Sequence, residues 1–263
     1  PEMVHRYAAA ILVLLSFAAA VLILHQRKLA QQPVLLATLL LMLLFWQGLL
    51  GKWTVTLRLH PLVVMSHLLG GFALLSVLWL LLLRLKPFHI PACTSQEEKL
   101  RPWAILGLLF IILQISLGGW TSANYAAFVC TDFPMCQGQW WPPMNFSAGF
   151  HLSFNAEQNY EGGVLSTTAR TAIQMSHRLG ALITTSYLAC LIYKLFGTRQ
   201  GSLLRRIGLI LLLLLIIQIS LGALNVLWAL PLLIAMAHNA VAALLLLSLI
   251  TLNIYLTLDK GKI

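Results

Sequence analysis

Acidic side chains are nearly missing from this chain of 263 residues, in which seven Asp and Glu stand against seventeen Lys and Arg. All charged residues together make up only 9% of the sequence. An ordinary soluble domain carries roughly a quarter, so a water-soluble globular protein is excluded. Cysteine is scarce as well, with four in all. Cys93 and Cys190 fall in a cytoplasmic loop and inside a helix, where reduced thiols are the default. No histidine stands at finger-like spacing from a cysteine pair, which argues against a zinc finger. No stretch has the form of a cleaved signal peptide, and the chain starts at Pro1, so an N-terminal segment is expected to precede it.

What is present is apolar. The chain is 60% hydrophobic with a mean hydropathy of +0.88, the composition of a polytopic membrane protein. Runs long enough to cross a hydrocarbon core of about 30 Å lie near 3–24, 34–51, 62–83, 103–123, 172–196, 203–228 and 231–257. The net charge of +10 does not mark a nucleic-acid partner, because the basic residues sit in short connections between these runs. Twelve of them fall on one side: Arg27, Lys28, Arg84, Lys86, Lys99, Arg101, Lys194, Arg199, Arg205, Arg206, Lys260 and Lys262. The other side holds Lys52, Arg58 and Arg170, with Arg6 and Arg178 at helix mouths. The positive-inside tendency makes the first set cytoplasmic, so the first helix enters from outside and the C-terminus lies inside.

A phrase of the form Gln-x-x-Leu-Gly recurs near the outer ends of three helices, at Gln47–Gly51, Gln114–Gly118 and Gln218–Gly222. Histidines keep step with it. His5 to His177 is 172 residues, while Gln47 to Gln218 and His67 to His238 are each 171. Such spacing is the mark of a parallel internal duplication. The expected architecture is an all-α membrane protein of two tandem four-helix bundles, residues 1–100 and 101–263. By the repeat, the first helix of the N-terminal bundle is absent from this chain. Facing side chains in the core of a four-helix bundle are where cofactors are held.

The loop at 122–170 is the one large hydrophilic stretch and falls outside. It contains Cys130-Thr131-Asp132-Phe133-Pro134-Met135-Cys136, whose short spacing in an external loop suggests a disulfide. A redox-active pair that cycles is the competing reading.

His25, His60, His89 and His151 fall in loops or at helix ends and are read as solvated surface groups. His5, His67, His177 and His238 differ. Each is placed in the first few residues of a helix entering from outside, paired at a spacing of 62 (His5–His67) and 61 (His177–His238). One alone would be a packing histidine; four at matched depth point to ligands. Two imidazoles per bundle, with no carboxylate or thiolate to complete a tetrahedron, suit a haem better than zinc. Gly70, Gly71, Gly180 and Ala242 follow the ligands by one turn and would let a flat macrocycle approach the backbone. Arg6 and Arg178 adjoin the ligands and could pair with haem propionates; snorkelling to headgroups is the plain alternative. Glu2 lies one turn before His5, where the counterpart before His177 is Gln174. An ionisable group in one site only makes Glu2 a candidate proton acceptor or relay, against a plainly solvated residue at a helix edge.

Taken together, Glu2-x-x-His5-Arg6, His67-x-x-Gly70, Gln174-x-x-His177-Arg178, His238-Asn239, the loop from Cys130 to Pro142 and Asn159-Tyr160-Glu161-Gly162-Gly163 resemble the heme A synthase family over essentially the whole chain. The resemblance implies a multi-pass bacterial inner-membrane oxidoreductase. Such an enzyme oxidises the C8 methyl of heme O to the formyl of heme A, through a hydroxylated intermediate and with oxygen from water, for cytochrome oxidase. It implies a resident heme b on His177 and His238, and a substrate haem on His5 and His67 with Glu2 as the essential carboxylate. Implied partners are the haem substrate, membrane lipid, a heme O synthase and an electron acceptor such as a quinone, with a homo-oligomer left open and no nucleic acid. Some members carry a second cysteine pair in an external loop that would belong to the absent segment. Two other classes compete: a di-haem b cytochrome that only passes electrons, and a haem carrier that leaves its cargo unchanged.

Overall fold

The computed structural model describes residues 2–29, 32–85, 94, 97–152, 155–198 and 202–257, with the side chain of Glu2 not included. His89 and Cys93 lie outside the described residues. The chain forms α1 (Glu2–His25), α2 (Val34–Thr56), α3 (Pro61–Leu85), α4 (Arg101–Ala123), a single turn α5 (Phe146–Gly149), α6 (Thr167–Phe196), α7 (Leu203–Leu227) and α8 (Leu232–Tyr255). Seven of these are long and apolar enough to cross a membrane, because only a helix satisfies its own backbone polar groups in lipid.

The helices gather around two apolar cores. Ala20 and Ile23 of α1, Ala37, Leu40 and Leu44 of α2, and Leu74, Val77 and Leu81 of α3 form one. The larger draws on α4, α6, α7 and α8, with Ile111, Leu188, Leu191, Leu211, Leu245 and Leu249 at its centre. Helix α3 joins the two, since it packs on both α4 and α8. Trp79 Nε1–H donates to Thr251 Oγ1 at 2.8 Å across that seam. Only the C-terminal half of α1 is packed: Ala20 is fully buried, whereas Val4 is 71% exposed near the N-terminal end.

Polar caps set several ends. Ser166 and Ser202 accept the backbone N–H groups of Ala169 and Arg205 at the starts of α6 and α7, the usual service of an N-cap hydroxyl. The turns α2–α3 and α7–α8 share one geometry. Arg58 and Leu59 have φ of 49° and 61°, and Ala229 and Leu230 have 53° and 60°. Leu59 N–H closes on Thr54 O at 2.9 Å and Leu230 N–H on Asn225 O at 2.8 Å, so two non-glycine pairs hold a left-handed C-cap.

Two expectations are corrected. His60 is not solvated. It is 1% exposed, with its ring set edge-on to Tyr160 at 4.7 Å between centroids. The loop reaches across to bury it: Tyr160 N–H donates to Arg58 O at 3.1 Å, and Arg58 Nη1 donates to Glu157 O at 3.2 Å. Helix α6 also starts at Thr167 rather than near 172, which places His177 eleven residues into its helix instead of at the mouth. One face of the added turns is buried: Ala169 and Thr171 are fully covered, and Gln137 Nε2 of the loop donates to Thr171 Oγ1 at 3.1 Å, while Thr167 and Thr168 stay exposed. Hydropathy misses such a turn because it is buried by protein, not by lipid.

The loop in turn hangs on a close contact at α5. Trp120 Nε1–H, itself buried, donates to Gly149 O at 2.9 Å. A Cβ at Gly149 would meet Ala169 O at 2.7 Å, a backbone atom that cannot step aside. Gly149→Ala is therefore expected to lower the melting temperature of the detergent-solubilised protein by several degrees, as for a loss of about 1–3 kcal/mol. A thermal unfolding curve checks this.

Candidate functional site

Three of the four singled-out histidines meet the same arrangement on the preceding long helix. His67 on α3 lies over Gly51 of α2, His177 on α6 over Gly118 of α4, and His238 on α8 over Gly222 of α7. A Cβ on these glycines would stand 3.3, 3.1 and 3.2 Å from the ring Cε1. Each imidazole thus rests in the space of a missing side chain. One turn before each glycine stands the glutamine of the repeated phrase. Gln47 Nε2 donates to His67 O at 3.0 Å, and Gln114 Nε2 donates to His177 O at 3.0 Å. Gln114 Nε2 is also 3.0 Å from His177 Nδ1, and Gln218 Nε2 is 3.2 Å from His238 Nε2. Both Gln47 and Gln114 press against glycines, Gly70 and Gly180, that lie three residues after their histidines. The sequence displayed the phrase as a repeat mark; its role as a histidine rest required the tertiary contacts.

The repeat pairs His5 with His67 and His177 with His238. Among the described residues no three His, Cys, Asp or Glu side chains group together. The donor set is therefore imidazole pairs, which suit a metal whose remaining ligands come from a macrocycle. Buried polar atoms without a partner gather on the same helices: His67 Nδ1, His238 Nδ1 and the Oε1 atoms of Gln47, Gln114, Gln174 and Gln218. Unpaired buried groups are costly, and glycines that leave the rings close to backbone add a cradle. The residues present fit a haem in each pair.

His5 and Arg6 lie on the exposed outer part of α1, where no Gln-Gly rest faces His5 among the described residues. Glu2 opens the same helix, but its side chain lies outside the described residues. Its counterpart Gln174 is 4% exposed.

Arg178 has a partner the sequence did not suggest. Its Nη1 donates to Met135 O at 2.7 Å and Pro134 O at 3.2 Å, and its Nη2 donates to Asp132 O at 3.0 Å. The Phe133 ring lies 5.8 Å from the guanidinium carbon. The loop thus clasped is closed by a Cys130–Cys136 disulfide, and both cysteines pack on Met175. Of the guanidinium nitrogens, Nε has no partner. Asp132 braces the loop, accepting from Gln137 N–H and Gly138 N–H at 2.8 Å each. The Gly138 bond chiefly, with the Gln137 bond and the Arg178 charge, holds its carboxyl below the ordinary range against a smaller opposing effect of burial.

Residues 1–250 match the family model COX15-CtaA, described as cytochrome oxidase assembly protein. The chain is similar to the heme A synthase of Shewanella oneidensis, with 46% identity over 255 residues, covering 97% of this chain and 76% of that protein. The heme A synthase of Neorickettsia sennetsu is 28% identical over 249 residues, covering 93% and 71%. That of Flavobacterium psychrophilum is 28% identical over 250 residues, covering 93% and 70%.

A depressed folded pKa stabilises at any pH above the unfolded value and is lost as pH falls through the folded one. The Asp132 loop should therefore be equally protease-resistant at pH 5 and pH 7, and should loosen only below the ordinary carboxylate value of 3.8. Asp132→Asn should remove this threshold and make the loop cleavable at neutral pH. Limited proteolysis across a pH series reads both.

Proposed function

The chain belongs to the COX15-CtaA family of cytochrome oxidase assembly proteins, and from that premise we infer that it is a heme A synthase. It is an integral, multi-pass membrane oxidoreductase that converts heme O to heme A. The observation that carries the finer reading is the set of three imidazoles, His67, His177 and His238, each resting over a glycine of the neighbouring helix.

In this reading His177 and His238 hold a resident heme b, and His5 and His67 hold the substrate haem. The division 1–100 and 101–263 follows the two apolar cores. Taking the C8 methyl to a formyl with water releases four electrons and four protons, half of each at the hydroxymethyl stage. A bound heme b supplies a one-electron acceptor close to the substrate. The rest falls to the chain. Glu2, one turn from His5, is the carboxylate placed to take a proton, a task that Gln174 cannot perform at the second site. The imidazoles fix the substrate macrocycle so that its methyl presents to the carboxylate. Arg6 serves the substrate propionates. Arg178 gives both Nη1 hydrogens and one Nη2 hydrogen to the disulfide loop, which leaves Nε–H and the second Nη2–H, one edge of the guanidinium, for a propionate of the resident haem. The Cys130–Cys136 bridge, in contact with Met175 and held by Arg178, serves as a structural lid for that site.

The loop faces the periplasm and the C-terminus the cytoplasm of a bacterial inner membrane, in keeping with the distribution of Lys and Arg. Heme O arrives from a heme O synthase, and electrons leave to an acceptor of the quinone class.

Three measurements test this reading. Haem extracted after co-expression with a heme O source should contain heme A or its hydroxylated precursor; heme B alone would sink the proposal. Glu2→Ala should cut product formation by about 100-fold or more and leave the resident haem spectrum intact. His177→Ala should remove that spectrum, and its loss in His5→Ala instead would show the two sites to be reversed.

A further inference from the structure

The two halves carry the same glutamine rest with one difference. Gln47 and Gln114 donate to the backbone carbonyl of His67 and His177 at the same 3.0 Å, and each lies over a glycine three residues further on, Gly70 or Gly180. Gln114 alone continues to the ring, reaching His177 Nδ1 at 3.0 Å. His67 Nδ1 is buried and has no partner. The third rest differs again. Val241 stands where Gly70 and Gly180 stand in the others, and Gln218 meets His238 at Nε2.

We propose that Gln114 is a positioning residue that fixes the His177 ring and so retains the haem of the C-terminal bundle. Gln47 leaves the His67 ring unheld, so the haem ligated there exchanges at each turnover. This inference rests on the ligand assignment made above. A ligating imidazole that binds iron through Nε2 carries its proton on Nδ1, and the partner of that proton fixes the ring's plane and basicity. Gln114 carries both a donor and an acceptor, and its Nε2 faces Nδ1 here. Once Nε2 of His177 binds iron, the amide turns to let Oε1, which has no partner, accept from Nδ1–H in exchange for the bond to His177 O. Gly118 and Gly51 lie under the His177 and His67 rings alike, at 3.1 and 3.3 Å from Cε1 for a built Cβ, so the approach of Gln114 to Nδ1 is what sets the two rings apart. A resident cofactor needs a ligand held in one orientation. A substrate that must enter as heme O and depart as heme A needs a ligand that lets go.

The test uses the full chain in detergent or lipid discs, with Gln114→Met, Gln114→Glu, Gln47→Met and His177→Ala. Gln114→Met keeps length and volume and removes the hydrogen bond. Its resident haem should pass to apomyoglobin about 10–100-fold faster, the loss typical for an outer partner of a metal ligand. The ferric low-spin EPR signal, which reports the relative orientation of the two imidazole planes, should move as well. Gln114→Glu should keep the haem and lower its midpoint potential, because an anionic acceptor makes the imidazole a stronger donor to ferric iron. Gln47→Met should change neither the release rate nor the EPR signal of the resident haem. Unchanged release, EPR signal and potential in both Gln114 variants overturn the proposal, as would an effect of Gln47→Met equal to that of Gln114→Met. Should Gln114→Met fail to fold, the potential of Gln114→Glu still decides. Retention of the same haem spectrum in His177→Ala would instead refute the ligand assignment beneath it.

Discussion

A histidine set between transmembrane helices is costly unless its ring is both packed and partnered, and the contact that meets this cost organises the protein. Gly51, Gly118 and Gly222 give up their side chains so that His67, His177 and His238 can lie against the neighbouring helix. One turn away, Gln47, Gln114 and Gln218 supply amide nitrogens. The helix pairs thereby come close at these glycines, and elsewhere along them leucine and isoleucine fill the bundle. The polar and apolar halves are complementary, since close approach at the glycines is possible only where the rest of the interface packs without voids.

The external loop depends on this frame and also finishes it. It is anchored at three places on different helices: Trp120 on Gly149, Arg178 on the carbonyls around the disulfide, and Tyr160 on His60. The last contact ties chain from the C-terminal half to the α2–α3 turn of the N-terminal half. The loop sits beside His177 through its neighbour Arg178.

The chemical difference between the halves is small in atoms. Glu2 is matched by Gln174, and a ring-holding Gln114 is matched by a Gln47 that holds only backbone. In the proposed reading, such substitutions would give one pair of histidines a proton acceptor and the other a fixed ring orientation.

Much of this was legible in the sequence. Hydropathy alone placed seven spanning helices, because a run of apolar residues in lipid has no stable form but a helix. Repeat spacing singled out His5, His67, His177 and His238, since equal separations in two copies do not depend on how the copies pack. Cys130 and Cys136, six residues apart in an external loop, were close enough to pair. Other features depend on distant chain meeting in space. His60 reads as a loop residue and is buried only because Tyr160 arrives from a hundred residues away. The first turns of α6 look too polar to cross lipid, and their Ala169–Thr171 face packs against the loop instead. Arg178 reads as a propionate partner or a snorkelling group, and three of its five N–H donors go to carbonyls of the disulfide loop, contacts that only the folded loop provides. The glutamines stood in plain view as a repeat, but a side chain's partner across a helix interface is fixed by packing, which one-dimensional spacing does not encode.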